Sequence, residues 1–228
     1  MLEAVAFSFV ISSCSATPPR LTTDVGSGKF DLKPEPKHFT VAKVITGAIE
    51  EYHYKSVKLD DSLSSQIFNK YLKDLDGSRS MLLASDVKDF EQFRYQIDDQ
   101  LEAGDLTAGY YIYNHYADRL SQRVDYALSL LKTKMNLDST DSYVLDREKE
   151  PWFSTSTDLN NYWNKRIRYE LINQKLISKD DKKAYDIITK RYENLKSQLA
   201  KLKSEDVFET YMNAFSSTVE PHTVYLSP

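Results

Sequence analysis

Proline is the residue that most constrains what this chain can fold into. None stands between Pro36 and Pro151. Because proline removes a backbone donor and clashes with the turn before it, its absence leaves that whole stretch open to long helices. Glycine is nearly as scarce, with six in 228 residues, well under the usual share of ~7%. Phosphate-cradling loops, dinucleotide-binding turns and turn-rich β-sandwiches all depend on glycine, so the chain is a poor candidate for any of them.

Helical periodicity fills the proline-free stretch and continues beyond it. Val41, Val44, Ile45, Ala48 and Ile49 make one apolar face, and Leu63, Ile67, Tyr71, Leu72 and Leu75 make a second, behind the cap-forming pair Asp60–Asp61. Val87, Phe90, Phe93, Ile97 and Leu101 share a third, which Gly104 stops. Leu106, Tyr110, Tyr113, Ala117, Leu120, Val124, Ala127 and Leu131 step by fours and threes, a coiled-coil-like seam. Tyr185, Ile188, Tyr192, Leu195, Leu199 and Leu202 make another, with a shorter helix at Leu159–Leu171 between the two seams and a last one from Ser204 to Phe215. No segment alternates like a strand. The expected fold is all-α: a bundle of about seven helices, two of them long and coiled-coil-like, behind an extended N-terminal tether. The one irregular stretch lies between Asn136 and Thr157.

The ends read differently. Ala4 to Ile11 is a short apolar run, too short for the ~20 residues of a spanning helix. It leads through Ser12 and Ser13 into Cys14, the only cysteine, an order similar to the lipobox at which bacterial lipoproteins are cleaved and lipidated. Four of the seven prolines, Pro18, Pro19, Pro34 and Pro36, then mark an extended linker. A lone cysteine forms no internal disulfide and no cysteine-rich zinc site.

Few residues suggest chemistry. Net charge is −4, without the basic stripe of a nucleic-acid binder. Glu50 and His53 form one E-x-x-H, where a di-iron bundle needs two and further glutamates. His38, His115 and His222 have no zinc-protease spacing. Ser85/Lys88 and Ser129/Lys132 match S-x-x-K, but chance alone gives roughly two such matches in a chain of this composition. No metal, cofactor or catalytic residue is assigned, and the two tryptophans, Trp152 and Trp163, are expected to be structural.

Three blocks carry a resemblance. Leu75-Asp76-Gly77-Ser78-Arg79-Ser80, continued by Leu83-Ala84-Ser85-Asp86-Val87 and Phe90, is similar to an L-D-x-S-R-x-x-L-L-A-S-D-V-x-x-F block. Leu145-Asp146-Arg147 with Pro151-Trp152 resembles L-D-R-x-x-x-P-W. Glu220-Pro221-His222-Thr223-Val224-Tyr225-Leu226-Ser227-Pro228 looks like D-P-H-T-x-Y-L-S-P, with Glu220 in place of aspartate. In this order the blocks resemble the N-terminal helical domain of bacterial tail-specific proteases, the carboxy-terminal-processing serine peptidases. The likeness runs from about residue 38 to 228.

The resemblance implies a division of labour. In that family a PDZ module and a protease domain with a serine nucleophile and lysine base follow the helical domain. On this reading residues 1–14 are a signal or lipobox segment lipidated at Cys14, 15–38 a linker and 39–218 the helical domain. Residues 219–228 are then the connector toward PDZ and protease domains absent from this chain. The implied role is a periplasmic scaffold and docking domain, inactive by itself, whose partners are those domains, unfolded protein substrates and a periplasmic adaptor lipoprotein. A free-standing helical adaptor without enzymatic activity is the alternative. Leu75, Asp76, Arg79, Asp86, Phe90, Asp146, Arg147, Pro151, Trp152, Glu220, Pro221, His222, Thr223, Tyr225 and Leu226 are the structural positions of the three blocks. The last of these blocks is expected to be looser than the bundle.

Overall fold

A computed structural model describes residues 29–55, 57–138 and 141–227. Eight α-helices account for most of them: α1 (Pro36–Tyr52), α2 (Asp61–Asp76), α3 (Ala84–Phe90), α4 (Ile97–Ala103), α5 (Thr107–Leu131), α6 (Ser156–Ser178), α7 (Asp181–Leu199) and α8 (Ser204–Val219). A 3-10 turn, Glu91–Phe93, follows α3. Among the described residues no strand forms, and one isolated bridge joins Leu83 to Phe153. The fold is all-α, as the periodicity indicates.

Several ends are set by the chemistry visible in the sequence. The Asp60 carboxylate accepts the Leu63 N–H at 3.0 Å and starts α2, and Gly104 closes α4 in the left-handed region at φ 73°. α8 runs to Val219, where Glu220 turns extended ahead of Pro221.

Other ends differ from the sequence reading. α1 begins at Pro36, inside the stretch read as linker, because proline fits the first helical position and the His38 Nδ1 accepts the Glu35 N–H at 3.1 Å. The residues before it lie along α5: the Asn114 side chain brackets Leu32, accepting its N–H and donating to its carbonyl, each at 3.0 Å. The single helix read over residues 85–101 is broken. Ser64 of α2 is the cause: its hydroxyl donates to the Arg94 carbonyl at 2.8 Å and accepts the Ile97 N–H at 2.9 Å, taking both backbone groups out of a continuous helix. α6, expected to be short, has 23 residues, because Thr155 caps it early by accepting the Asp158 N–H.

Two apolar cores are strung on α5. The first half of α5, through Ala117, joins α1, α2, α4 and α8 around Phe68, Tyr71, Phe208 and Phe215. The second half, Val124 to Leu131, joins α6 and α7 around Trp163, Ile167, Ile188 and Tyr192. α6 and α7 are connected by a two-residue turn at Lys179–Asp180, a length that makes neighbouring helices antiparallel. The first core closes where α2, α5 and α8 meet at Gly109. Tyr71 donates to the Gly109 carbonyl at 3.0 Å, and a Cβ at position 109 would stand 2.5 Å from the Tyr211 ring.

Gly109→Ala is therefore expected to destabilise the chain even though alanine is the better helix former. Overpacking of this kind costs about 1–3 kcal/mol, against up to ~1 kcal/mol gained in propensity. Denaturant unfolding checks it, and a more stable variant would show that α8 moves away freely.

Candidate functional site at the junction of the two cores

The first two sequence blocks converge on one buried carboxylate. Asp76, at the end of α2, is 2% exposed. Its Oδ1 accepts the Ser80 N–H at 2.8 Å, and its Oδ2 accepts the Met81 and Leu82 N–H groups at 3.1 and 3.0 Å. The Trp152 indole N–H donates to the same Oδ2 at 3.3 Å. Desolvation pushes the acid's pKa up, and the donated hydrogen bonds oppose that rise. The short side chain thus holds residues 77–82 in a tight loop, in which Arg79 takes a left-handed φ of 47°.

That loop delivers the chain to both cores. Leu82 enters the first and Leu83 the second. Asp86 then fixes the start of α3: its Oδ2 accepts the Leu83 N–H at 2.9 Å, and Arg119 of α5 holds both carboxylate oxygens at 2.8 Å. Asp86 rather than Ser85 closes this first turn. Leu75 and Phe90 are buried in the first core.

The second block lies alongside. The Ala84 N–H donates to the Phe153 carbonyl at 3.0 Å. Arg79 stacks over Trp152 at 4.4 Å and donates to the Glu150 carbonyl at 2.6 Å. Arg147 donates to the Pro151 carbonyl at 2.8 Å and lies over the Phe153 ring at 3.9 Å. Asp146 Oδ1 accepts the Glu148 N–H at 3.0 Å, which starts the turn. Trp163 of α6 donates to the Ser80 carbonyl at 2.7 Å, so both tryptophans grip the same loop. The half-buried Trp152 separates two cavities, of about 560 Å³ on the Arg79 side and 520 Å³ on the Arg147 side.

The third block is elsewhere, against α1 and α8. Glu220 pairs with Lys55 and accepts the Tyr54 hydroxyl, while its backbone carbonyl accepts the Thr223 N–H at 2.9 Å in the turn that follows Pro221. The longer side chain in the position of the family's aspartate therefore reaches outward, and the main chain closes the turn. The Lys55 ammonium, followed by the Tyr54 hydroxyl, lowers the Glu220 carboxyl to about 2. His222 is exposed. Beyond it the Asn213 side chain brackets Tyr225, accepting its N–H at 2.7 Å and donating to its carbonyl at 3.1 Å. The Tyr225 ring meets Phe208 edge-on at 5.3 Å. A tail read from sequence as lacking a packing partner thus has one inside the bundle, while Leu226 stays 76% exposed. An apolar groove of about 320 Å³ lies between α1 and this tail, lined by Ile45, Ile49, Tyr52, Val224 and Tyr225.

Among the described residues the remaining candidates have local partners. Ser129 donates to the Tyr126 carbonyl at 2.7 Å, and Ser85 and Lys88 are both exposed on α3. His53 Nδ1 accepts the Lys55 N–H at 3.2 Å, and His115 bonds the Tyr111 carbonyl at 3.0 Å. No helix among the described residues is long and apolar enough to cross a membrane. Cys14 and the segment around it lie outside the described residues. Sequence reasoning missed Arg119, Asn213 and Ser64, polar residues that carry no motif.

Comparison with known proteins agrees with the blocks. A family described as "Tail specific protease N-terminal domain" matches residues 45–228. A tail-specific protease of Haemophilus influenzae is 37% identical over 187 residues, covering 82% of this chain and 27% of the relative. The chain thus spans about a quarter of that relative's length.

Two outcomes follow from the geometry. Asp76→Asn places an NH2 group among N–H donors, and one unsatisfied buried group costs about 1–3 kcal/mol. Thermal unfolding should show a lowered midpoint with helical content unchanged at low temperature. For Glu220 the native carboxyl binds its proton more weakly than the unfolded one. The stability it contributes is whole above its ordinary value of 4.5 and is lost as pH falls toward about 2. A carboxyl NMR titration should find that low midpoint in the parent and a return toward 4.5 in Lys55→Ala.

Proposed function

The chain belongs to the tail-specific protease family, as a domain of its N-terminal type, and from that premise we propose that it is the scaffold of a periplasmic serine endopeptidase that processes proteins from their C-termini. Its work is to seat the PDZ and protease parts of the same polypeptide, to shape the approach of unfolded substrates and to offer a face to an adaptor lipoprotein. The observation that carries this reading is the fastening of the third block. Asn213 holds the Tyr225 backbone on both sides, and Glu220 is tied to Lys55. A domain joined through residues 219–228 would leave the bundle in a set direction instead of hanging from a loose tether. Tyr52, Tyr54, Val224 and Leu226, all more than half exposed, flank the apolar groove beside that exit and supply the apolar area such a seat needs. Periplasmic placement, with Cys14 as a lipid anchor, is part of the same proposal, and its support is the apolar run ending in Ile11-Ser12-Ser13-Cys14.

The test is binding in trans. The 228-residue chain should bind a separately expressed polypeptide carrying only the PDZ and protease parts, and a Tyr52→Asp, Leu226→Asp double variant should not. Both substituted residues are exposed, so the bundle itself should be spared. Absence of binding by the parent, or equal binding by the variant, overturns the scaffold reading. By itself the chain is expected to leave an unfolded substrate with an apolar C-terminus uncut. Cleavage abolished by Ser85→Ala or Ser129→Ala would assign chemistry to this domain instead.

A further inference from the structure

The last turn of α6 carries an apolar pair that neither core takes up. Leu176 and Ile177 are 72% and 76% exposed, side by side just before the two-residue turn at Lys179–Asp180. A single exposed leucine is ordinary. Two such neighbours at the convex end of a helical hairpin form an apolar point with most of its surface in water.

The same end of the molecule is basic. The Met135 N–H donates to the Tyr185 hydroxyl at 2.7 Å, which brings the residues after α5 to the hairpin end. Lys132, Lys134, Lys175, Lys179, Lys182 and Lys183 are all exposed there. Against these six lysines stand three aspartates. Asp181 pairs with Lys175 at 2.8 Å, Asp138 acts on the same ammonium, and Asp180 caps α7 by accepting the Lys183 N–H. Among the described residues the other five lysines make no ion pair. This end is therefore positive, in a chain whose acids outnumber its bases by 34 to 30. It also stands clear of the first core. α7 runs back along α5, with Lys196 reaching Asp125 at 2.7 Å, so the hairpin end lies beyond the C-terminal end of α5, while α8 packs against its first half.

We propose that the end of the α6–α7 hairpin docks on a bilayer surface that carries anionic lipids. Leu176 and Ile177 enter the boundary between headgroups and acyl chains, and the lysines surround them at the level of the phosphates. A lysine stem is long enough to keep its ammonium in the polar layer while shorter apolar side chains go deeper. Unpaired ammonium groups are attracted to an anionic leaflet without any fixed pairing geometry. Protein interfaces have a different composition, depleted in lysine and enriched in arginine and aromatic residues. Residues 132–138 and 175–183 contain no arginine and no aromatic residue. A domain held in this way keeps its first core and the 219–228 segment on the side away from the bilayer. The proposal does not rest on the scaffold reading, which concerns the groove between α1 and the tail.

The test uses the 228-residue chain in co-sedimentation with vesicles of phosphatidylcholine alone or of phosphatidylcholine mixed with phosphatidylglycerol. Binding to the mixed vesicles should be about tenfold tighter and should weaken as salt screens the lysines. Leu176→Ser with Ile177→Ser should weaken binding to the mixed vesicles by about tenfold. Lys182→Glu with Lys183→Glu should remove the preference for the anionic surface. All four residues are exposed, so both variants should unfold at the temperature of the parent. No binding by the parent overturns the proposal. Equal binding by the parent and the Leu176→Ser, Ile177→Ser variant overturns it too, because the lipid affinity then belongs to another part of the chain, such as the apolar run at residues 4–11. Loss of binding to the PDZ–protease polypeptide in that variant, with no vesicle binding by the parent, would make this end a protein contact instead.

Discussion

Everything at the centre of this domain depends on the Asp76 carboxylate. Four N–H groups point at it, three from the backbone of residues 80–82 and one from Trp152. Without such an acceptor those donors would be buried and unpaired, an outcome folded proteins rarely tolerate. The loop shape that results decides which side chain enters which core: Leu82 one way, Leu83 the other. A slip of one residue would bring Ala84 or Met81 to a position that a leucine fills. Desolvation raises the acid's pKa while the donors stabilise its ionised form. The site is a compromise between those two forces and not an ordinary surface cap.

The two cores are consequently not independent. α5 passes through both, and Arg119 on that helix holds Asp86 just after the loop. Trp163 comes from the second core and Trp152 from the irregular segment, and both donate into residues 76–80. Loosening the junction would leave α5 as the main link between α2 and α8 on one side and the α6–α7 pair on the other. Each core would lose the leucine that the loop supplies, and their relative placement would be less tightly specified. For a domain proposed to seat others, relative placement is the property that matters.

How much of this was legible in the sequence depends on the range of the interaction. Local signals were read correctly where the partner lies within a turn: Asp60 before α2, Gly104 after α4, and the four-and-three stepping of α5. Pro36 reads as linker in the sequence and is the first residue of α1 in the structure, because proline is compatible with both and His38, which settles it, acts through tertiary burial. The break between α3 and α4 was invisible, since Ser64, on another helix, makes it. Asp76, Arg79 and Arg147 stand out in the sequence only because the blocks resemble a family, and Trp152 also as one of two tryptophans expected to be structural. Nothing in their spacing shows that residues 76 and 152 share a hydrogen bond. Asn213 was not singled out at all, for a mid-helix asparagine gives no sign that it reaches a backbone twelve residues on.

Glycine scarcity, which argues against turn-dependent folds, also explains why the junction is built from side chains. A chain rich in glycine can turn by backbone freedom alone. Here the loop after α2 turns at Arg79, in a left-handed conformation that costs a non-glycine residue roughly 1–2 kcal/mol. The guanidinium offsets that strain by stacking on Trp152 and bonding the Glu150 carbonyl. The residue that pays for the turn is thus the one that fastens the turn to the distant 145–153 segment. Lys179, the other non-glycine residue at positive φ among those described, lies in the α6–α7 turn, where its N–H donates to the Lys175 carbonyl at 2.8 Å. The contrast separates the two uses of strain in this molecule. At Lys179 a local backbone bond is enough to end a helix. At Arg79 a local bond of the same kind, from its N–H to the Asp76 carbonyl at 2.9 Å, is joined by the Asp76 carboxylate's hold on Ser80 and by the guanidinium's bond to the second block, so the strained residue lies where local and distant contacts meet.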